Sequence, residues 1–516
     1  MNLSKTTYFQ ISSHIILLLF QLLFWNFIID DAFITFRYAK NLYFHQQMVF
    51  NVNEIPVEGY SNFLWVLLMT VSFPLNMDPI VFSKLAGMIF CHLSVFILYK
   101  LAFLVNKSER FSNIVIVFYV LTPNIALWSV GGLETSLFSF LLLISVYFFI
   151  IDVSKRKNNP IKISPLFFVL LSLARHEGLI VFGLTCVFFT YLLFKNKEIS
   201  KIQKLYQLFY FAGFFAIFYA PYFFWRVFYY NNILPHTFSA KQGIFSLDLF
   251  LGRFIFYIPL ILILAPVFLL IGGNFLKNSK FPFKNEKKLY LVLLILILSI
   301  LLFLITSWMP GFRFAIPIIP LIYLLLPKSL NFLTILGRNY RKNVDLWKEI
   351  KIFTILTICV FNILQVISFY PFVNTYGTGL RDCNITLGEW INENTSNNAS
   401  LAVWDVGALP FYSNIRTIDI YPYSLQDLHV YNNPTDADYI LEQNITFLIL
   451  NDDYFDYIKV DSRFLSNYRL IFYAQVYYAD ILYIYDYIYQ VYLFNDYYIP
   501  ESAINELINS SYRFYI

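Results

Sequence analysis

The sequence predicts a mainly α-helical, polytopic membrane protein that ends in a small α/β domain outside the membrane. Of its 516 residues, 59% are hydrophobic and only 13% are charged, and the mean hydropathy is +0.61. A soluble protein of this length needs a polar shell that such a composition cannot supply. The net charge of +5 is small for the length, which argues against a nucleic-acid partner.

About eleven apolar runs are long enough to cross a bilayer as helices. The first, at 11–29, is longer than a signal-peptide core and has no small-residue cleavage site, so it is predicted to be a retained anchor. The others lie at 79–105, 111–128, 134–152, 163–175, 177–194, 206–229, 249–272, 289–307, 312–326 and 351–372.

The segments between these runs alternate in character. One set is basic and is predicted to be cytoplasmic by the positive-inside rule; it comprises residues 107–110, 155–162, 195–204, 277–288 and 328–351. The other set is rich in Gly, Pro and acidic residues. A crossing at 61–77 would reverse this alternation, so that segment is predicted to be re-entrant or interfacial. The N-terminus is therefore expected in the cytoplasm, with 30–62 as the first external loop.

Asp30 and Asp31 stand where the first apolar run meets that loop. Adjacent carboxylates at the end of a membrane helix are costly, and they indicate chemistry at the membrane surface. The residues that follow have helical spacing, with Arg37, Lys40 and Asn41 on a different face from the apolar ones, which predicts an amphipathic helix lying on the membrane. Capping of that helix would explain one aspartate but not both.

The polar residues favour a transfer reaction with a carboxylate base. The sequence has no phosphate-binding nucleotide loop. A base that deprotonates a hydroxyl, with cations that receive a phosphate leaving group, suits a lipid-phosphate donor. For each cation the alternative is an interfacial anchor. The cations on the predicted outer side are Arg37, Lys40, Arg175, His176, Arg226, His236, Lys241 and Arg313.

Several sequence blocks carry a family resemblance. They are DDAFITFRYAKNL, VFNVNEIPVEGYSNFLW, GGLET, ARHEGL, FWRVFYYNNILPHTFSAK, WMPGFRFAIPIIP and WDVGALPFYS. Together they resemble the bacterial GT-C glycosyltransferases, in particular the AftB-like arabinofuranosyltransferase group, from residue 30 to about 427. The resemblance implies a GT-C fold, a polyprenyl-phosphate sugar as donor, and an acidic base in the first external loop, at Asp30 or Asp31.

The predicted site follows from the charges and from this resemblance. The predicted ligands of the donor phosphate are Arg175, Arg226, Lys241 and Arg313. The residues predicted to line the substrate cavity are Arg37, Glu58, Tyr60, Asn62, Glu134, His176, Glu177, His236 and Asp405. No metal ligand set is predicted, although the external acids leave a divalent cation as an open alternative.

The composition becomes polar and Tyr-rich near residue 374, which divides the chain into a membrane domain, 1–373, and an extracytoplasmic α/β domain, 374–516. SLAVWDV and ITFLILN are predicted strands, and GEWINENT is predicted to be helical. Asp405 and Gly407 would follow a strand, either in a ligand-contacting loop or in a turn that closes this domain onto the membrane part. The tyrosines of 473–498 favour either core strands or a surface that stacks on sugars.

The predicted function is an inverting glycosyl transfer to a cell-envelope glycan or glycolipid at the outer face of the bacterial cytoplasmic membrane, by a monomer. Asp30, the aspartate nearer the span, is slightly favoured as the base. Inversion is expected because no second carboxylate is placed as a nucleophile. Two alternatives stay open: a flippase for lipid-linked sugars, which would show inverted repeats, and a polymerase or ligase that uses a polyprenyl-diphosphate oligosaccharide.

Overall fold

The computed structural model describes residues 4–154, 162–233 except 198, residue 236, 310–324, 344–479 except 397, 423 and 452–454, and 484–516. The described chain is mostly helical. The ten helices of its first half are α1 Lys5–Leu23, α2 Asp31–His45, α3 Phe63–Thr70, α4 Pro79–Asn106, α5 Glu109–Val120, α6 Pro123–Ser129, α7 Thr135–Ser154, α8 Ser164–Ala174, α9 Glu177–Lys195 and α10 Lys201–Tyr230.

Five of the described helices, α1, α4, α7, α9 and α10, are long and apolar enough to cross a bilayer. A sixth crossing results if α5 and α6, which meet at an angle of 61°, form one broken span. These elements confirm a polytopic membrane protein. The runs predicted at 249–272 and 289–307 lie outside the described residues.

The segment 61–77 contains only the eight-residue helix α3. At about 1.5 Å per residue such a helix extends roughly 12 Å, which is too short to cross a bilayer. The segment predicted as re-entrant or interfacial is thus not a spanning helix in the structure.

Local sequence fixes several helix ends. The Asp78 side chain accepts a hydrogen bond from the Ile80 amide at the start of α4, where Pro79 occupies the first helical position. At the start of α10, Ser200 and Gln203 form a reciprocal capping box. Such caps satisfy amides that the helix itself leaves unpaired, so these two boundaries could be placed from sequence.

Helix α2 differs from the predicted amphipathic surface helix. Arg37 and Asn41, expected on its polar face, are both buried. Both polar side chains are buried because each has acceptors: Arg37 reaches backbone carbonyls, and Asn41 Nδ2 donates to the Val49 carbonyl at 2.9 Å. The expectation that α2 has a solvated polar face is therefore wrong. Its polar side chains join it to other parts of the protein.

The C-terminal half combines helices with a mixed sheet. Its helices are α11 Val344–Gly379, α12 Thr386–Asn394, α13 Ala408–Ser413, α14 Leu428–Asn432, α15 Ala437–Leu441, α16 Asp456–Lys459, α17 Ser462–Asn467 and α18 Glu501–Ser510, with a 3-10 turn Pro310–Ala315 before them and a π-helical turn Leu380–Ile385 between α11 and α12. Its strands are β1 Ser400–Val403, β2 Arg416–Asp419, β3 Phe447–Asn451, β4 Tyr468–Ala479, β5 Ile484–Phe494 and β6 Phe514–Tyr515.

The strand order is β2-β1-β3-β5-β4-β6. The strand β1 is parallel to β2 and to β3, whereas β5 is antiparallel to β3 and β4. The predicted strands SLAVWDV and ITFLILN are confirmed as β1 and β3, and the tyrosine-rich tail forms β4 and β5. The predicted domain boundary at 373/374 falls inside α11, because an unbroken helix runs through the point where the composition changes.

The C-terminal domain docks directly on the first helices. Phe411 and Tyr412 of α13 lie 5.8 Å, between ring centroids, from Phe33 of α2. The turn before α7 approaches the same region: Gly132 has a φ of 85°, and a Cβ there would lie 2.8 Å from the Cβ of Ala32. Only glycine adopts this backbone geometry freely and leaves room for α2. Two chain segments thus converge on the start of α2.

Candidate active site

The two adjacent aspartates have different surroundings. Asp31 begins α2 and is exposed. Asp30 is partly buried, and its Oδ1 accepts a hydrogen bond from the Ala408 amide at 2.8 Å. The Asp30 amide donates to the Tyr376 hydroxyl at 3.2 Å. Asp30 makes no capping bond to α2 itself, so its carboxylate is engaged by the C-terminal domain instead.

The contact between Asp30 and the C-terminal domain requires a glycine. A Cβ at Gly407 would lie 2.1 Å from the Asp30 Oδ2 atom and 2.3 Å from the Asp30 carbonyl oxygen. Any larger residue would therefore push Asp30 away from the Ala408 amide. Of the two alternatives for Asp405 and Gly407, the structure has the turn that closes the domain onto the membrane part.

Asp405 supports this turn from the other side. The Tyr489 hydroxyl donates to its Oδ2 at 2.5 Å, and the Tyr487 hydroxyl also donates to Oδ2. Burial, together with the neighbouring carboxylates of Asp405 and Asp31, raises the pKa of Asp30 above its usual range. Burial likewise raises the pKa of Asp405, against the effect of the two tyrosine hydroxyls. The turn therefore holds acids that resist ionisation.

These raised pKa values give a stability prediction. Above about pH 4 the unfolded chain loses protons that Asp30 and Asp405 keep in the folded protein, so stability falls as the pH rises. We expect Asp405→Asn to make the decline of the unfolding temperature between about pH 5 and pH 8 shallower, since it removes one of the facing carboxylates. Thermal unfolding in detergent checks this. The exposed variant Glu506→Gln is the control, and an unchanged slope in Asp405→Asn would contradict the prediction.

A buried charge cluster is centred on Glu134, which is 1% exposed. Its Oε1 accepts from Arg175 Nη1 at 2.5 Å and from Arg313 Nη2 at 2.8 Å. Its Oε2 accepts from Asn62 Nδ2 at 2.8 Å. Burial raises the pKa of Glu134, but the two guanidinium groups outweigh it and hold the pKa below the ordinary value. Four residues predicted from sequence to share a site are thus in direct contact.

Two further charges complete this cluster. Glu177 Oε1 accepts from Arg175 Nη2 at 2.7 Å, and Asp31 interacts electrostatically with Arg313. The Arg313 guanidinium also lies 5.4 Å from the centroid of the Trp128 ring. His176 is partly buried and directly precedes α9. The exposed Asp31 therefore lies within electrostatic range of a buried guanidinium.

A second buried ion pair joins Glu58 and Arg226, each 2% exposed. Arg226 Nε lies 2.9 and 2.8 Å from the two Glu58 oxygens, and Nη1 donates to the Ile233 carbonyl at 2.9 Å. The Nη2 atom is buried with no hydrogen-bond partner among the described residues. Tyr60 lies close by, with its hydroxyl 3.1 Å from that of Tyr230.

His236 and Arg37, which were also predicted to line the cavity, bind backbone carbonyls of the C-terminal domain. The His236 Nε2 atom donates to the Ser424 carbonyl at 2.9 Å. Lys241 lies outside the described residues. In the described part of the chain, no group of three His, Cys, Asp or Glu side chains could hold a metal ion.

Sequence reasoning missed several contacts that shape the site. Besides Tyr376 and Ala408, these include Tyr38, whose hydroxyl donates to Gln426 Oε1 at 2.8 Å. The Gln426 Nε2 atom in turn donates to the Gly59 carbonyl at 3.2 Å. The glycine of WDVGALPFYS was the one available signal, since a required glycine marks a close approach. Tyr376 and Gln426 carry no such signal.

The comparisons with known proteins agree with this architecture. The crystal structure of ArnT from Cupriavidus metallidurans bound to undecaprenyl phosphate superposes with a TM-score of 0.61 and 11% identity, over 95% of this chain and 98% of that chain. The apo ArnT structure from the same organism gives 0.57 and 12% over the same shares. The chain has the ArnT fold. This places it in the GT-C fold class, as the sequence blocks predicted.

A family model described as a domain of unknown function (DUF8728) matches residues 373–492, which is most of the C-terminal α/β region. No curated protein matches the chain. At 11–12% identity the likeness to ArnT concerns the fold.

Proposed function

We propose that this protein is a membrane glycosyltransferase that takes a sugar from a polyprenyl-phosphate donor. The ArnT fold supports the proposal, since one ArnT structure contains undecaprenyl phosphate. The observation that carries it is the exposed Asp31, which interacts electrostatically with Arg313 of a buried cluster that contains two arginines. Glycosyl transfer from a phosphate donor requires a base that deprotonates the acceptor hydroxyl and cations that stabilise the leaving phosphate.

Asp31 is the better candidate for the base. Its carboxylate is exposed, whereas Asp30 accepts the Ala408 amide. In the proposed reaction Asp31 takes the proton of an acceptor hydroxyl, and the hydroxyl oxygen forms a bond to the anomeric carbon. The bond from that carbon to the phosphate oxygen breaks, and polyprenyl phosphate leaves with the electron pair. A single displacement of this kind inverts the anomeric centre.

Arg313 and Arg175 are the proposed ligands of the leaving phosphate. Glu134 fixes both guanidinium groups, so they are oriented before the substrate binds and need little reorganisation. The Arg226 Nη2 atom is buried and has no hydrogen-bond partner among the described residues, which suits an oxygen of the donor or the acceptor. Lys241 remains a candidate from the sequence. Glu58, Tyr60, Asn62, His176, Glu177 and His236 are proposed to border the cavity.

We also propose a donor sugar, an acceptor and an orientation in the membrane. The sequence blocks resemble AftB-like arabinofuranosyltransferases, so a pentofuranosyl donor is the first to test, followed by hexosyl donors. The acceptor is proposed to be a cell-envelope glycan or glycolipid at the outer face of the bacterial cytoplasmic membrane, with the C-terminal domain on that side. The basic segments that alternate along the sequence support this orientation.

The test uses purified protein in lipid nanodiscs. It is incubated with polyprenyl-monophosphate pentose or hexose, and in parallel with polyprenyl-diphosphate oligosaccharides. Release of polyprenyl monophosphate, dependent on added acceptor, is the expected result. Turnover of diphosphate donors alone would indicate a polymerase or ligase. Movement of the lipid-linked sugar across a liposome membrane without turnover would indicate a flippase. Each of these two outcomes would contradict the proposal.

A further inference from the structure

Helix α2 holds the short helix α13 of the C-terminal domain at both ends. At one end the Asp30 carboxylate accepts the Ala408 amide at 2.8 Å. At the other end Arg37 Nη1 donates to the Pro410 carbonyl, and Nη2 donates to the Ile415 carbonyl at 2.8 Å. The two side chains meet opposite ends of the same element.

The spacing along α2 makes this possible. Asp30 and Arg37 are seven residues apart, which is close to two helical turns, so both lie on one face. Phe33 lies close to that face, one turn after Asp30, and Phe36 flanks it; their ring centroids are 5.8 and 6.1 Å from the Phe411 ring of α13. The two helices are therefore joined by a contact between aromatic rings that is flanked by the Asp30 carboxyl group and the Arg37 guanidinium group.

Arg37 has little capacity left for a substrate. Its Nε donates to the Phe50 carbonyl at 2.8 Å, and its Nη2 also donates to Asn51 Oδ1 at 3.0 Å. Together with Pro410 and Ile415, these acceptors use four of the five N–H groups of the guanidinium. The side chain is only 7% exposed. Its contacts link α2, the loop after it and the C-terminal domain.

We propose that Asp30 and Arg37 are positioning residues that tie α2 to helix α13 and thereby fix the carboxylate of Asp31, the next residue in the chain. The proposal rests on the function proposed above. According to this proposal, rapid turnover requires the C-terminal domain to dock on α2. The docking depends on the turn at Gly407 and Ala408, where only a glycine leaves room for Asp30. It also changes the roles that the sequence suggested for both residues.

The experiment compares Asp30→Ala, Asp30→Asn and Gly407→Ala in the donor assay. Asp30→Ala removes the acceptor of the Ala408 amide, and Gly407→Ala forces Asp30 away from it. Because a displacement of about 1 Å at a reacting group can cost on the order of a hundredfold, we expect kcat to fall by about that factor in both variants. The KM for the donor should not change. Asp30→Asn keeps an acceptor oxygen and should restore most of the kcat that Asp30→Ala loses.

The matched control is Arg416→Gln. Arg416 pairs with Glu54 across the same interface, but both side chains are more than a third exposed, so the pair contributes little. Wild-type kcat in folded Asp30→Ala and Gly407→Ala would overturn the proposal. So would an Asp30→Asn variant as inactive as Asp30→Ala, because the charge of Asp30 would then matter and not its hydrogen bond.

Hydrogen exchange separates this proposal from the proposed function. In Gly407→Ala we expect faster amide exchange in α13 and also in the first turn of α2, whatever the enzyme does. If the wild-type protein consumes no polyprenyl-phosphate sugar, the proposed function fails while the exchange result still tests the coupling. If amide exchange in α2 is unchanged in Gly407→Ala, the proposed link between α13 and α2 is overturned, even if the enzyme is active. This test does not depend on whether Asp30→Ala folds.

Discussion

Replacing Asp31 with Asn should lower kcat by on the order of 10² to 10⁴, because the amide cannot accept the proton of the acceptor hydroxyl. The side chain is exposed at the first position of α2, so the change should leave the fold intact. Release of polyprenyl phosphate under donor saturation measures kcat directly. Unfolding temperature in the same detergent verifies that the variant is folded.

Asp30→Asn is the matched control, since it makes the same chemical change one residue away. The side-chain amide oxygen that this variant carries can still accept from the Ala408 amide, so the loss of kcat should be much smaller than in Asp31→Asn. The reverse order, with Asp30→Asn inactive and Asp31→Asn active, would make Asp30 the base. Full activity in both variants would exclude a carboxylate base at this position.

Replacing Glu134 with Ala should destabilise the protein by about 3 to 5 kcal/mol, because it removes the acceptor that two buried charges share. Glu134 is the acceptor for two guanidinium groups that are themselves 8% and 7% exposed. Without it Arg175 and Arg313 repel each other where water cannot screen them. Denaturant unfolding in micelles measures the change in the free energy of unfolding.

Glu54→Ala is the control for that experiment. It also removes an acid from an arginine, but its pair with Arg416 is 40% and 36% exposed, and exposed pairs contribute about 0 to 1 kcal/mol. An effect of Glu134→Ala as small as that of Glu54→Ala would mean that the arginines find other acceptors. Transfer activity of any folded Glu134→Ala protein should also fall, because the phosphate ligands lose their orientation.

Part of this architecture could be predicted from local patterns. The apolar runs at 79–105 and 134–152 correspond closely to α4 and α7, because a spanning helix needs a long apolar stretch whatever its neighbours are. Residues such as Glu134, Arg175 and Arg313 could be grouped as a site, because charges near helix breaks need polar partners. Their individual partners could not be predicted, since Arg226 and Glu58 are 168 positions apart.

Helix α2 shows where local pattern failed. Its periodicity suggested a solvated polar face, but Arg37 is buried because the distant Ile415 carbonyl accepts from it, and Asn41 is buried because the Val49 carbonyl of the following loop accepts from it. Helical periodicity reports which residues share a face, and it does not report what covers that face. The helix that packs on α2, α13, is more than 370 residues further along the sequence.

The sequence by itself determined the membrane class, the helices with long apolar runs, and the presence of two acids at the start of α2, since composition and period are local properties. Only the tertiary structure distinguished the two acids. Asp30 is held because the Ala408 amide, 378 positions away, reaches its Oδ1 atom, and Asp31 is exposed. A hydrogen bond between such distant segments depends on how the domains pack, which no local pattern encodes.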